Sequence, residues 1–348
     1  MGDIIETATG KEIPFDTLME ELADVRVIYV GESHTNVEDH RVQLQVMKGL
    51  YAQNPSLTLA LEMLPREAQP LLDQYGQGLI TEEEFLREVK WDEVWGYPFR
   101  LYGSLLTWAR DHHIRIIALN APREIVSKIA QSGLASLSVS ERNRVAEDFH
   151  ENDPTHREYI RQQYREHLKG SIMDFNTFLE AQLAWEETMA ETLARTLASG
   201  VPEERIIVLI GKGHISDQVG VPKLTYERVK DAYRTIAPMP LDYPGRTADP
   251  RIADFVWITD KAEPIRRLRL GALFRSLPSG GGLKILEVMP DSAAAKAGLK
   301  EGDILKMVDG APVLSLEDLH KAFSTKTVHE LILKRDHREV SVTVTLSP

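Results

Sequence analysis

The sequence predicts an α/β fold, in which a mostly parallel sheet flanked by helices and covered by a helical cap is followed by a small β-rich domain. Four apolar, β-branched runs have the character of buried strands, and segments with helical periodicity separate them. The long helical stretch between the third and fourth runs is the predicted cap. After residue 261 the chain changes to short strands and glycine-rich turns. We therefore predict two domains, residues 1–261 and 262–348.

The predicted elements follow in order along the chain. A short hairpin and a helix at 15–22 come first. The principal strands are predicted at 26–31, 57–63, 114–119 and 205–210, with two further strands at 219–224 and 255–259. Helices are predicted at 37–52, 66–75, 81–90, 101–112 and 122–130 and across 140–200, the last of them at 172–197. Strands that alternate with helices in this way are typical of parallel sheets with helices on both faces.

The composition excludes several classes of function. The 348 residues carry a formal net charge of -12 and no basic stripe, so we expect no nucleic-acid partner. The absence of cysteine excludes disulfides, thiolate metal sites and a cysteine nucleophile. No apolar run reaches the roughly 20 residues of a membrane-spanning helix. The nucleophile elbow G-x-S-x-G and the dinucleotide fingerprint are also missing.

The first ten residues carry neither the basic segment nor the apolar segment of a signal peptide. On this evidence alone the compartment stays open, and the cytoplasm is expected only if no export signal has been removed. A Met-Gly start can also replace a removed export signal, and in that case we expect the cell envelope or periplasm.

Two strands end in the same turn, G-x-x-H. The first turn carries Glu32 and His34, and the second carries His214. Glu62 ends the strand at 57–63, where burial of a carboxylate costs several kcal/mol unless it is paired, protonated or metal-bound. Because ligands lie beyond the carboxyl ends of parallel strands, we expect all four residues to meet at one edge of the sheet.

Three chemistries suit this quartet of two imidazoles and two carboxylates. It can hold a divalent metal such as Zn, Mn or Co, with Glu32, His34, Glu62 and His214 as ligands. It can equally act as a general acid and base, with the same residues as catalytic groups. The third alternative is a buried polar network that orders the strand ends.

Further polar residues lie near the predicted site. Gln182 and Glu186 fall at the centre of the apolar stripe of the helix at 172–197, whereas Glu180 and Glu187 point the other way and are expected in solvent. Arg123 follows the third strand and can bind an anionic group, or act as an ordinary surface arginine.

Aromatic and histidine residues complete the candidates. The patch of Trp91, Trp95, Tyr97 and Tyr102 is expected in the core, with stacking on a flat ligand as the alternative. We expect the remaining histidines of the helical segments at the surface, namely His40, His112, His113, His150, His156 and His167.

The last 85 or so residues resemble a bacterial PDZ domain. The strand at 283–289 is followed by Ser292, by Ala297-Gly298-Leu299 and by a G-D-I-L motif that begins at Gly302. The resemblance implies that Leu270, Gly271, Ala272 and Leu273 form the loop that binds a peptide C-terminus, with the peptide adding a strand to the sheet edge. The alternative is a module that only packs on its neighbour or dimerises.

Residues 1–260 resemble the ChaN-like haem-binding proteins of the wider Tiki/TraB/erythromycin-esterase superfamily. The likeness rests on the GESH and GKGH turns, Glu62, the motif at 120–123, the run at 178–190 and the motif at 220–222. It implies an iron-regulated protein of haem uptake or handling, with haem bound at a homodimer interface. His34, His214, Arg123, Gln182 and Glu186 are then the residues expected to bind haem or a similar anionic ligand.

Two further implications come from the same resemblance. Other branches of the superfamily are hydrolases that act on peptides or esters through the two G-x-x-H motifs and a glutamate, so a metal-dependent or histidine-based hydrolase is the alternative function. In the ChaN-like branch a tyrosine ligates haem, and residues 215–223 of this sequence contain none.

Overall fold

The computed structural model describes residues 2–149, 153–167, 174–200, 203–216, 219–241, 249–261, 270–277, 281–314, 316–323, 327–336 and 338–346. The chain divides into two compact units, Met1–Pro264 and Ile265–Pro348. The predicted domain boundary adjoins residues 262–269, which lie outside the described residues, as does His150. Nothing is described of the side chain of His167 either.

One eight-stranded sheet forms the centre of the first unit. Its strands are β1 (Ile4–Glu6), β2 (Lys11–Ile13), β3 (Val27–Glu32), β4 (Leu57–Pro65), β5 (Arg115–Asn120), β6 (Arg205–Gly211), β7 (Tyr233–Pro240) and β8 (Phe255–Thr259). They lie in the order β2-β1-β8-β7-β3-β6-β4-β5. The six strands from β8 to β5 are mutually parallel, and the β1–β2 hairpin is antiparallel at one edge. The predicted α/β class is thereby confirmed.

Eleven α-helices are described between and around these strands. They are α1 (Phe15–Glu21), α2 (Val37–Gln53), α3 (Gln69–Gly76), α4 (Glu82–Val89), α5 (Trp91–Val94), α6 (Gly103–Asp111), α7 (Arg123–Ser132), α8 (Val139–Arg142), α9 (Pro154–His167), α10 (Phe175–Ser199) and α11 (Val221–Val229). Of the helices in the described part of the chain, none has the length and apolar character needed to cross a membrane.

The register of the sheet places the predicted site residues at one edge. In the pairing of β3 with β6, Glu32 lies opposite Gly211, so both strands end at the same level. β4 pairs with the other side of β6 and carries Glu62 near its carboxyl end. The three strand ends therefore open into one region beyond the sheet.

Two predicted elements differ from the structure. Residues 219–224 were expected as a strand, but α11 begins there at Val221, directly after Gly220 with φ of 74° and with Pro222 in its first turn. Proline in the first turn favours a helix start, and the valines that suggest a strand instead pack into the core. The strand β7 was missed, because Pro238 and Pro240 argue against a strand between two partners.

The predicted cap is only partly a cap. The C-terminal half of α10 covers one face of the sheet through Met189, Leu193 and Leu197, which pack on Val27 and Tyr29 of β3. The helix α9 instead packs on the N-terminal half of α10, where Ile160 meets Leu179 and Leu183.

The second unit is a small antiparallel β domain. Its strands are β9 (Ala272–Ser276), β10 (Leu283–Val288), β11 (Ile304–Val308), β12 (Ala311–Pro312), β13 (Val328–Arg335) and β14 (Arg338–Thr345), with the helices α12 (Ala293–Lys296) and α13 (Leu316–Phe323). The sheet order is β14-β13-β11-β10-β9, so β9 forms an open edge. This is the predicted β-rich second domain.

Candidate functional site

The two G-x-x-H turns interlock at the edge of the sheet. A Cβ added at Gly31 would lie 2.7 Å from Cγ of Lys212, so the second turn crosses directly over the first. A Cβ added at Gly211 would lie 3.0 Å from Cε1 of His34 and 3.4 Å from Oε2 of Glu62. Both turns thus need glycine because another residue occupies the space that a side chain would fill.

The first half-site consists of Glu32, His34, His40, Gln43 and Tyr102. Nδ1 of His34 lies 2.8 Å from Oε1 of Glu32, and the hydroxyl of Tyr102 donates to the same oxygen at 2.7 Å. The amide of Gln43 donates to Oε2 of Glu32 at 2.8 Å, and Nδ1 of His40 lies 3.4 Å from that oxygen. The Glu32 side chain is fully buried, whereas 25% of the His34 side chain is exposed.

The second half-site consists of His156, Glu186 and His214. Nδ1 of His214 lies 2.9 Å from Oε1 of Glu186, and Nε2 of His156 forms an ion pair with Oε2 of Glu186 at 2.5 Å. All three side chains are largely buried.

Glu62 lies between the two half-sites. Its Oε1 is 3.4 Å from Nε2 of His214, and its Oε2 accepts a hydrogen bond from the backbone N–H of Gly211. Asn120 of β5 donates to the carbonyl of Glu62 at 2.8 Å and so fixes the backbone there. Carboxylates and imidazoles therefore alternate along the strand ends, from Glu32 and His34 through Glu62 to His214, Glu186 and His156.

These contacts shift the pKa values of the groups in opposite directions. Burial opposes the ionisation of Glu32 and Glu62, but the neighbouring histidines outweigh it and hold the pKa of each carboxyl below its usual range. Burial likewise opposes protonation of His34 and His214, but their carboxylate partners raise both pKa values, that of His214 to about 10.

Glu186 follows the same pattern. Burial disfavours its charge, but the contacts with His156 and His214 lower its pKa to about 2. The pKa of His156 is raised, since Glu186 outweighs the effect of burial. At neutral pH Glu186 and His214 of the second half-site are thus a pair of opposite charges.

A separate ion pair joins the two turns. Nζ of Lys212 lies 2.9 Å from Oδ2 of Asp39 and donates to the carbonyl of Pro238 at 2.6 Å. The same Asp39 oxygen accepts the backbone N–H of Ser33 at 2.7 Å. Lys212 is therefore engaged in holding the first turn against the second.

Aromatic rings surround the exposed part of the first half-site. The ring centroids of Trp95 and Tyr97 both lie 4.8 Å from that of His34, and both residues are half-buried. Trp91 and Tyr102 are buried in the core. The predicted aromatic patch is thus divided between a core half and a half that borders His34.

The structure brings together five of the predicted site residues. Glu32, His34, Glu62, His214 and Glu186 meet at the strand ends as described above. Gln182, one turn before Glu186 on α10, is half-buried and makes no hydrogen bond to another described residue. Arg123 is exposed and donates to the carbonyl of Glu93, which precedes Trp95 by two residues.

The predicted metal site is not found. Among the residues that the structure describes, no group of three or more His, Asp or Glu side chains is arranged to hold a metal ion. The physical reason is visible in the contacts: Nδ1 of each G-x-x-H histidine faces its own carboxylate, and Nε2 of His214 faces Glu62. Hence the quartet forms ion pairs instead of directing lone pairs at one point.

Two histidines expected at the surface belong to the site. His40 and His156 are 4% and 3% exposed. The sequence contained an indication that each is buried. His40 lies on the same helix face as buried Gln43 and Met47, and His156 precedes buried Ile160 by one turn. Tyr102 was expected in the core, but its hydroxyl reaches Glu32.

Glu187 also differs from its prediction. It is fully buried instead of solvated, and its carboxylate accepts a hydrogen bond at 2.6 Å from Arg228 of α11. The apolar stripe alone does not reveal this contact, because α11 itself was predicted as a strand.

The predicted peptide-binding loop of the second unit leads into the open edge strand β9. The backbone carbonyl of Leu270 accepts the N–H of Ala294 at 2.7 Å, and that of Gly271 accepts the N–H of Met289 at 2.9 Å. Leu270 is buried, whereas Leu273 is 51% exposed. The loop is thus fastened on one side and leaves the outer edge of β9 open.

Comparison with known proteins supplies the family. Residues 18–224 match the family described as "Haem-binding uptake, Tiki superfamily, ChaN", and residues 284–335 match the PDZ domain. A structure described as "Cofacial heme binding to ChaN of Campylobacter jejuni" is 20% identical with a TM-score of 0.57, covering 73% of this chain and 95% of that chain. At this identity the likeness shows a shared fold.

Two curated relatives match different parts of the chain. Protein RETICULATA-RELATED 5, chloroplastic, of Arabidopsis thaliana is 22% identical over 278 residues, covering 71% of this chain and 36% of the relative. Serine protease HTRA1 of Xenopus laevis is 34% identical over 64 residues, covering 18% of this chain and 14% of the relative. The chain therefore spans little more than a third of the longer of these two matches. Because the match at 18–224 spans more than half of its 348 residues, the chain belongs to the haem-binding uptake family ChaN of the Tiki superfamily and carries a PDZ domain at 284–335.

Proposed function

We propose that the first unit binds haem at the first half-site and serves in haem uptake or handling. One observation carries this proposal: Nε2 of His34 has no hydrogen-bond partner among the described residues, on an imidazole whose Nδ1 is held by buried Glu32. A histidine held through its other ring nitrogen by a carboxylate is the usual form of a metal-ligating histidine.

The surrounding side chains fit haem. Trp95 and Tyr97 offer flat apolar surface beside His34. Arg123, bonded to the carbonyl of Glu93, offers a guanidinium for a carboxylate of the ligand. When bound, haem would supply an iron that can take an imidazole nitrogen or a phenolate oxygen from the protein. His34 and Tyr97 are the residues that would hold it, and Tyr97 supplies the tyrosine that residues 215–223 lack.

A homodimer follows from the same proposal. The ChaN structure from Campylobacter jejuni is described as binding haem cofacially. We propose that two copies of this chain enclose haem between their first half-sites. Size-exclusion chromatography with light scattering, with and without haem, distinguishes the two states; a loaded chain that remains a monomer argues against the dimer.

Haem titration tests the main proposal. We expect a Soret shift on adding haem to the full chain, and at least about a tenfold loss of affinity, or 1.4 kcal/mol, in His34→Ala. His113→Asn is the matched control, because His113 is exposed and asparagine tolerates its φ of 55°. The proposal fails if the unaltered chain shows no Soret shift, or if His34→Ala binds haem like the control.

We propose further that the second unit binds a peptide C-terminus along β9, at the loop of Leu270, Gly271, Ala272 and Leu273. The open edge of β9 supports this, since a peptide can add a strand there. A library of peptides with free C-termini should bind with micromolar affinity by fluorescence anisotropy, and the amidated versions should not. Equal binding of both forms would contradict capture of the carboxylate.

A second candidate function is histidine-based hydrolysis of a peptide or ester. Its supporting observation is Glu62, which faces Nε2 of His214 and accepts the N–H of Gly211 in the arrangement of an acid–base pair. Ester and peptide turnover should then be lost in Glu62→Gln and retained in the control Glu83→Gln, where Glu83 is exposed. Absence of turnover by the unaltered chain would remove this candidate.

A further inference from the structure

The two half-sites share one construction, in which a second imidazole lies behind each carboxylate. Glu32 lies between His34 and His40, and Glu186 lies between His214 and His156. In each case the G-x-x-H histidine uses Nδ1 to reach the carboxylate. The second imidazole comes from a helix, α2 in the first half-site and α9 in the second.

The carboxylates differ in how many groups hold them. Oε2 of Glu32 accepts from Gln43, and Oε1 accepts from Tyr102, so Glu32 keeps two donors without His40, although Nδ1 of His40 also lies 3.0 Å from the amide oxygen of Gln43. Among the described residues, Oε2 of Glu186 has no partner except His156 at 2.5 Å. One imidazole therefore fixes the far oxygen of Glu186.

His156 is itself held firmly by the docking of α9. The hydroxyl of Tyr159 donates to the carbonyl of Gly213 at 2.7 Å, inside the second G-x-x-H turn. Asp153, at the start of α9, forms an ion pair with Lys223 of α11. The side chain of His156 is 4% exposed, so its position is set by packing as well as by charge.

We propose that His156 is a positioning residue of the site, which acts through Glu186 on the imidazole of His214. With His156 present, Glu186 points Oε1 at Nδ1 of His214, and Nε2 of His214 then faces Glu62. Without it, a buried carboxylate oxygen is left unpaired, and the carboxylate turns to find another donor. The ring of His214 then loses its fixed orientation, and Glu62 loses one of its two partners.

The inference rests on the proposed function only in taking these strand ends as the ligand site. Its first measurement needs no ligand. Ring ¹⁵N NMR of the full, haem-free chain at one fixed pH reports which nitrogen of His214 carries a hydrogen bond. We expect the His214 ring signals to move in His156→Leu and to return towards their original positions in His156→Gln, whose amide can still donate to Glu186.

His40→Leu is the matched control, because it removes the equivalent imidazole from the carboxylate that has further donors. We expect the His34 ring signals to move much less in His40→Leu than the His214 signals move in His156→Leu. Unchanged His214 signals in folded His156→Leu would overturn the proposal. If His156→Leu does not fold, Glu186→Asp replaces it: the shorter side chain cannot span both imidazoles, and unchanged His214 signals there would equally overturn the proposal.

Haem affinity separates this inference from the proposed function. With haem as probe, we expect a loss of about threefold to tenfold in His156→Leu and recovery in His156→Gln. Moved His214 signals in a chain that shows no Soret shift would support the positioning role and reject haem binding. Moved His214 signals with unchanged haem affinity would confine His156 to holding His214, contrary to its proposed effect on the site.

Discussion

The two half-sites are built on the same G-x-x-H turn, but their histidines differ in exposure and in hydrogen-bond partners. In the first, His34 is a quarter exposed, its Nε2 has no hydrogen-bond partner among the described residues, and two aromatic rings border it. In the second, His214 is 16% exposed, and both of its ring nitrogens face carboxylates. One copy of the turn thus presents its histidine outward, and the other closes its histidine into the protein.

This difference assigns ligand binding to the first half-site and structural support to the second. A nitrogen that can accept a ligand is useful only if the opposite nitrogen is fixed. Glu32 fixes Nδ1 of His34, and three further groups surround Glu32, namely Gln43, Tyr102 and His40. The second half-site relies on fewer contacts, and these are charge pairs in a buried, poorly screened environment. We therefore expect the first half-site to tolerate the loss of single contacts and the second to be sensitive to it.

The largest expected effect is the loss of the central carboxylate of the second half-site. Glu186→Gln removes the carboxylate that pairs with buried His156 and one of the two carboxylates that face His214, and breaking such a buried pair costs about 3 to 5 kcal/mol. Glu32→Gln should cost less, about 1 to 3 kcal/mol, because the amide oxygen still accepts from Tyr102. Equal losses would contradict the comparison.

Tryptophan fluorescence during urea unfolding measures both variants in the full chain. All 5 tryptophans of the chain lie within the first unit, so the signal reports this unit alone.

The two turn glycines test how the half-sites contact each other. In Gly31→Ala the new Cβ meets Lys212 and Ile215 at 2.7 and 2.8 Å, and such overpacking should cost about 1 to 3 kcal/mol of stability. In Gly211→Ala the nearest atom is Cε1 of His34 at 3.0 Å, which can move towards solvent. We expect Gly211→Ala to lower haem affinity more than stability, and Gly31→Ala to do the reverse. A urea titration and a Soret titration of each variant decide this.

The stability of the first unit should depend on pH through the second half-site. The folded pKa of His214 is about 10, above the ordinary 6.5, so its stabilisation is complete below 6.5 and is lost as pH rises towards 10. The folded pKa of Glu186 is about 2, below the ordinary 4.5, so its stabilisation is complete above 4.5 and is lost as pH falls towards 2.

Urea unfolding at pH 5.5, 7.5 and 9 measures the alkaline part of this dependence. We expect the free energy of unfolding to fall by about 1 kcal/mol or more over this range. The fall should be smaller in Glu186→Gln, where Glu62 remains but the second carboxylate that raises the pKa of His214 is missing. The same slope in both chains would show that other groups cause it.

The sequence predicts the fold well where a strand is a continuous apolar run. β3, β4, β5, β6 and β8 all have such a run, and of these β3 and β6 also end in a glycine turn; the edge that the strand ends share followed from the rule for parallel sheets. The exceptions are β7, whose prolines disguise a strand with partners on both sides, and α11, whose valines resemble a strand. In both cases tertiary packing overrides the local preference.

The site was predictable where a strand end carries the residue, or where a polar residue lies in an apolar helix stripe, as Glu186 does. Glu32, Glu62 and His214 follow directly from that reasoning. His156 and His40 come from helices with polar sequences, and their burial depends on a partner distant in the chain, Glu186 for His156 and Glu32 for His40. A single sequence contains no direct signal for such long-range pairs, and only the helical spacing to buried residues indicated them.

The smallest expected effect concerns Arg123, which contacts the carbonyl of Glu93, two residues before Trp95. It is exposed and contacts the chain through the carbonyl of Glu93, so Arg123→Gln should change stability by less than about 0.5 kcal/mol. If its guanidinium meets a carboxylate of the ligand, haem affinity falls about twofold to fivefold, and the loss shrinks as salt screens the charge. Soret titrations at 50 and 500 mM NaCl measure this. Among the contacts of Glu186 and His214 with described residues, the second half-site has no equivalent exposed cation. A loss of haem affinity that occurs only at low salt therefore assigns the anionic edge of the ligand to the first half-site. A loss of haem affinity that does not depend on salt would instead show that Arg123 contributes to the packing around Trp95 and does not pair with a charge on the ligand.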